Sequence, residues 1–209
     1  LIYNNTTILK DIIEIENIEM LKLLLKHPKI DVNIPLIFSD EKEKTIFTPL
    51  CYAISHKKIE IVKLLLSHPS IDVNAPLNIT MHDSKKQMAP LTMAIKKGQI
   101  EIVDLLLSHP KIDVNAPEIL YDNNIKLKNP PLNLAIDSCN QKAAILLLSH
   151  HNIDVNIKTI KKTNNNELFK KEELSSLYFA IKNNDFKVIQ LLLSKQNTNF
   201  NNKTMVFTK

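Results

Sequence analysis

Residues 64–77 read "LLLSHPSIDVNAPL", and close copies stand at 23–36 ("LLLKHPKIDVNIPL"), 105–118 ("LLLSHPKIDVNAPE") and 146–159 ("LLLSHHNIDVNIKT"). Each copy sets a histidine four residues before an aspartate, a spacing that invites a metal or acid–base reading. The Asp-Val-Asn steps begin at Asp31, Asp72, Asp113 and Asp154, a constant period of 41 residues, and a worn copy, "NTNFN", follows 45 residues later. A second anchor runs in register with the first: "TPLCYAI" at 48, "APLTMAI" at 89, "PPLNLAI" at 130 and "SSLYFAI" at 175, with "TILKDII" at 7 in the same place. Periodic self-similarity of this length is the signature of a repeat architecture.

Each period predicts two short helices. The first opens on Pro49, Pro90 or Pro131, where a missing N–H costs nothing in the first turn, and Thr48 and Ser175 are positioned as N-caps. Leu50, Ala53 and Ile54 then give one apolar stripe. In the second helix, "IEIVKLLLSH", Ile59, Val62, Leu65 and Leu66 recur at helical spacing while Glu60 and Lys63 face water, and Pro69 and Pro110 stop it. A helix pair this small cannot bury its own apolar face, so neighbours must stack into a solenoid. The rest of each period carries turn residues and short β-like runs, "LIF" and "TIF" around "SDEKEK", "ILY" and "IKL" around "DNN".

A period of 41 also suits HEAT and armadillo repeats, but their units are helical throughout. The stretch "TPLCYAISHKKIEIVKLLLSHPSIDVNAP" instead resembles an ankyrin repeat, and the resemblance, which extends to ankyrin-repeat proteins of AT-rich protist genomes, covers nearly the whole chain. It implies a mostly α fold: stacked helix pairs with elongated β-hairpin fingers, in units 1–33, 34–74, 75–115, 116–156 and 157–201, with 202–209 a tail or the start of a further unit. The family period is about 33 residues. Aligning the anchors places one extra residue in the "HPxI" turn and seven in the finger between Asn33 and Thr48. The family's histidine near the start of the first helix is replaced by Cys51, Thr92, Asn133 and Tyr178. Its inter-helix glycine survives only as Gly98, with Lys57, Cys139 and Asn184 elsewhere, at a cost of order 1 kcal/mol per left-handed non-glycine residue.

Composition narrows function. The chain of 209 residues is 44% hydrophobic, enough for a core. Its one glycine excludes Gly-rich phosphate loops, dinucleotide fingerprints and nucleophile elbows. All 27 basic residues are lysine, the usage of an AT-rich genome. Without arginine's bidentate fork, the net charge of +5 argues against specific nucleic-acid recognition but suits an acidic protein. No apolar run approaches the ~18 residues of a membrane span. Cys51 and Cys139 form no C-x-x-C and lie two units apart, about 20 Å at ~10 Å per helix pair, beyond disulfide reach, so reduced cytoplasmic thiols are expected. The chain opens on Leu1 rather than methionine, the expectation for an excerpt of a longer one.

The histidines at 27, 68, 109 and 150 recur at roughly the ~8–10 Å step of stacked helices, too far apart to share an ion needing nitrogens ~2.1 Å away. They read as helix-terminal residues beside the last carbonyls, with no catalytic, cofactor or metal site. The resemblance instead implies partner binding through the exposed ends of the first helices, which line a concave groove, and through the fingers. The groove positions are Ser55 and His56, Lys96 and Lys97, Asp137 and Ser138, Lys182 and Asn183; the finger-tip positions are Lys42, Lys85, Lys86, Lys161 and Lys162. Ile145 stands where other second helices carry Lys63, Asp104 and Gln190, a candidate contact patch. The expected function is a non-enzymatic binding module or scaffold for a protein with an acidic surface. Two alternatives are a structural part of a large assembly such as a cytoskeletal lattice, and a targeting segment of a larger enzyme.

Overall fold

The computed structural model describes residues 5–122, 125–165, 168–195, 198 and 203–208. The first helices are α1 (Asn5–Ile15), α3 (Pro49–Ser55), α5 (Pro90–Lys96), α7 (Pro131–Asp137) and α9 (Ser176–Lys182). The second helices are α2 (Ile18–Leu25), α4 (Ile59–Leu66), α6 (Ile100–Leu107), α8 (Gln141–Ser149) and α10 (Phe186–Ser194). Between helix pairs run the hairpins β1 (Leu36–Ser39) with β2 (Glu43–Phe47), β3 (Leu77–Met81) with β4 (Ser84–Met88), β5 (Glu118–Asp122) with β6 (Ile125–Asn129), and β7 (Thr159–Asn165) with β8 (Leu168–Leu174). A last strand is β9 (Lys203–Thr208).

The first helices stack on one another in chain order, and the second helices form a second layer in the same order. The fingers do more than project. The nine strands among the described residues form one sheet in sequence order, each antiparallel to the next, so each of these fingers hydrogen-bonds to its neighbour as well as within itself. This corrects the mostly α expectation: backbone groups of finger segments that would need water if isolated pair across units and become strands.

Thr48 caps the Cys51 N–H at 3.1 Å and Ser175 caps Tyr178, as their position before each helix dictates. The inter-helix turn needs one left-handed residue whether or not glycine is available: φ is +65° at Gly98, +55° at Lys57 and Cys139, and +54° at Asn184 and Glu16. Three of the four positions that lack the family histidine keep a donor. Cys51 Sγ, Thr92 Oγ1 and Asn133 Nδ2 each donate to a carbonyl 24 residues ahead, on Ala75, Ala116 and Ile157.

Burial gives the solenoid a polarity. Ile54, Ile95 and Ile136 face the following unit and are 0%, 1% and 3% exposed, whereas their counterpart Ile181 in the last helix pair is 56% exposed. Ile61 and Ile102 face the preceding unit and are fully buried, whereas their counterpart Met20 in the first pair is 48% exposed. Core burial here is a property of the junction between units, as expected of a stacked array.

Candidate functional site

The repeated "HPxIDVN" segment resolves into local and inter-unit bonds. After α2, α4, α6 and α8, the histidine Nδ1 accepts the N–H two residues on: His27 from Lys29, His68 from Ser70, His109 from Lys111 and His150 from Asn152, all at 3.2 Å. Each aspartate carboxylate accepts the N–H of the asparagine two residues on, as Asp72 does from Asn74 at 3.0 Å. The asparagine then bridges to the next unit: Asn74 Nδ2 donates to the Lys111 carbonyl at 2.8 Å while its Oδ1 accepts the Asp113 N–H at 2.8 Å. Asn33 and Asn115 repeat the bridge. To the expected helix-terminal role of the histidines this adds an acceptor role for Nδ1 in the turn that follows. Among the described residues no three His, Cys, Asp or Glu side chains converge as a metal site would require.

At His109 and His150 the accepting Nδ1 must be unprotonated, which makes these two turns pH-sensitive. Burial, reinforced by Lys111, lowers the pKa of His109. Burial, reinforced by His151 and opposed by a hydrogen bond to the Leu107 backbone, lowers that of His150. A depressed histidine pKa means that the unfolded chain takes up its proton first as pH falls. The stability from the neutral rings is therefore whole above about pH 6.5, the unfolded value, and is lost as pH falls through it toward the folded values. Urea unfolding midpoints should fall between about pH 7.5 and about pH 5.5. In the double variant H109N/H150N, which keeps an acceptor but cannot titrate, that fall should shrink; an unchanged fall would remove these rings as its cause.

The groove candidates are largely engaged with one another. Ser55 Oγ and His56 Nδ1 lie 2.8 Å apart, each also within 2.9 Å of the Tyr52 carbonyl. The His56 ring packs 4.3 Å from that of Tyr52, whose phenol donates to Glu14 at 2.6 Å. Burial and that carboxylate push the Tyr52 pKa up to about 12. Lys182 pairs with Asp137 at 3.2 Å, Ser138 Oγ donates to the Leu134 carbonyl at 2.7 Å, and Asn183 Nδ2 donates to the Ile136 carbonyl at 2.6 Å. Lys97 is exposed and makes no ion pair among the described residues.

The finger lysines divide differently. Only Lys42 sits in a tip turn, where Asp40 accepts its N–H at 2.8 Å. Lys85, Lys86, Lys161 and Lys162 stand in β4 and β7, a correction to their assignment as tip residues. The tip at 122–124 lies partly outside the described residues, as does the tip between β7 and β8. Ile145 is half-buried on α8.

One functional-looking residue escaped the sequence reading. Glu118 is 3% exposed at the base of β5, and both Lys96 Nζ, at 2.6 Å, and Lys86 Nζ, at 3.1 Å, reach its Oε1. Two candidate binding lysines thus neutralise a buried carboxylate. The signal was available: Glu118 holds the repeat position of Leu36 and Leu77. Cys51 is buried, and that burial pushes its pKa up to about 11, while Cys139 is exposed; both are free.

The layered arrangement defines the class first: a solenoid of helix pairs joined by hairpin fingers. The family described as "Ankyrin repeats (3 copies)" matches residues 2–76 and 77–159, and the chain belongs to the ankyrin-repeat family. Among solved structures, the crystal structure of EF0377, an ankyrin repeat protein, is similar with a TM-score of 0.51 and 20% identity, over 72% of this chain and 65% of that one, which shows the fold alone. No curated protein matches. Ankyrin repeats are generally protein–protein interaction modules. Among the described residues no helix is long and apolar enough to cross a membrane.

Proposed function

We propose that this chain is a non-enzymatic module that binds a protein partner with an acidic surface through its fingers and groove, in a reducing compartment such as the cytoplasm. The observation that carries this reading is the set of finger and groove lysines, Lys42, Lys85, Lys97, Lys161 and Lys162, which make no ion pair among the described residues yet stand on a hydrogen-bonded sheet and stacked helices. A rigid frame presenting unneutralised cations attracts and orients an anionic partner, raising association rate more than it adds affinity.

The test begins with cross-linking in the native cell, recovery of the bound protein and its identification by mass spectrometry. Lys85, Lys97, Lys161 and Lys162 are then changed together to glutamine, with Lys96 kept because it holds Glu118. At roughly 0.5 kcal/mol per exposed pair, affinity for the recovered partner should fall about tenfold or more and its salt dependence should flatten. Unchanged affinity and salt dependence would overturn the reading.

A further inference from the structure

The register of the finger sheet places lysines in one row. Lys44, Thr80, Lys85, Tyr121, Lys126, Lys162 and Lys171 are successive cross-strand partners from β2 to β8. Lys44, Lys85 and Lys126 recur at the 41-residue period, and Lys171 follows after 45, the longer step set by the extended fourth finger. The row lies on the face turned away from the helices: the adjoining positions Leu36, Leu77, Met88 and Glu118, three residues along each strand, are buried, while Lys44, Lys85 and Tyr121 are exposed.

Two features mark this face as unfinished. Lys126, Lys162 and Lys171 stand directly opposite one another on adjacent strands, an arrangement that costs stability. Lys171 is relieved by Glu173 and Lys126 lies over the Tyr121 ring at 4.8 Å, but Lys44, Lys85 and Lys162 meet no carboxylate among the described residues. The second feature is the neighbouring row on the same face, Ile37, Ile46, Asn78, Gln87, Ile119, Lys128, Ile160 and Glu173, whose four isoleucines stand outside the main core, Ile37 being 56% exposed, and whose Glu173 is taken up by Lys158 and Lys171.

We propose that this outer face of the finger sheet docks an extended acidic peptide segment of a protein partner, running across the strands with a carboxylate at every third residue. The proposal rests on the binding-module reading above and names its partner's chemistry. The repeated lysines stand on alternate strands, so their spacing is about 9.6 Å. A polyproline-II segment advances about 9.3 Å per three residues and returns the same side to the sheet at each turn. A helix repeats a heptad position only every ~10.5 Å, and a fully extended strand turns alternate side chains away at ~6.8 Å intervals, so over four lysines only the first stays in step. Acidic tracts already favour such extended states through self-repulsion, which lowers the ordering cost of docking. Side chains between the carboxylates lie toward the isoleucine row.

The experiment uses two labelled peptides of identical composition, each about 12 residues long, one with glutamate at every third position and one with the glutamates in a block. Binding to the whole chain and to the variant K44Q/K85Q/K126Q is read by fluorescence anisotropy at low and moderate salt. The spaced peptide should bind about tenfold more tightly than the block isomer, and the variant should lose about tenfold, since each exposed pair contributes roughly twofold to threefold. Equal binding of the isomers overturns the proposal, as does tighter binding of a DNA duplex or of phosphatidylserine vesicles. Against the partner recovered from cells, a loss confined to the helix-facing variant K97Q/K161Q overturns this docking face and leaves the binding-module reading standing. No loss in either variant overturns both.

Discussion

Replacing Ile95 by alanine should lower the unfolding free energy by about 2–5 kcal/mol, while Ile181→Ala should cost no more than about 0.5–1 kcal/mol. The two residues occupy the same place in the repeat, so propensity, helix position and local sequence pattern are matched. What differs is the neighbour: Ile95 is 1% exposed with the α7 unit against it, and Ile181 is 56% exposed on the last helix pair. A cavity forms only where something packs on both sides, and in an array stability is shared between units and their junctions. Urea denaturation of both variants decides it; equal losses would mean that the isoleucine acts within its own helix pair and that junctions contribute little.

The same contrast explains how much of the molecule was legible in the sequence. Period, helix pairs and caps were written locally, because proline, threonine and serine at helix starts and leucine spacing act within a few residues of themselves. The left-handed turn was legible without glycine, since Lys57, Cys139 and Asn184 inherit a conformation that the two flanking helices impose. The roles of His68 and Asn74 were half legible: repetition marked them as architecture, but the His68 Nδ1 acceptor shows only in the turn geometry, and the asparagine bridge depends on partners 37 and 39 residues away. The hairpins were legible in β-like runs such as "LIF" and "TIF", but the continuous sheet was hidden because pairing between fingers joins strands of different units and leaves no local signal. The lysine row had a visible signal, the period linking Lys44, Lys85 and Lys126, yet it sits in the least repetitive part of the chain, where only register shows that the lysines share a face. Variation at surface positions such as Ser55, Asp137 and Asn183 was legible, but several of these side chains close hydrogen bonds within the frame.

Lys96→Ala should destabilise the protein by about 2 kcal/mol and the double change with Lys86→Ala by about 3–5 kcal/mol, because each step leaves the buried Glu118 carboxylate less compensated. Both ammonium groups converge on one oxygen of a side chain that is otherwise shielded from water, so the second lysine covers part of the loss of the first. Removing the charge should erase the penalty. In a Glu118→Gln background Lys96→Ala should cost under about 1 kcal/mol, a coupling that a double-mutant cycle reads directly. Glu118→Leu, restoring the side chain found at Leu36 and Leu77, should be neutral or stabilising, since apolar packing replaces a desolvated ion pair at a site that is already buried. A Lys96→Ala cost below about 0.5 kcal/mol in the unmodified chain would instead place Lys96 among ordinary surface residues. In the expected case Lys96 uses its charge inside the frame while Lys97 beside it stays exposed, so adjacent lysines of one helix end divide into an anchoring and a solvent-facing one.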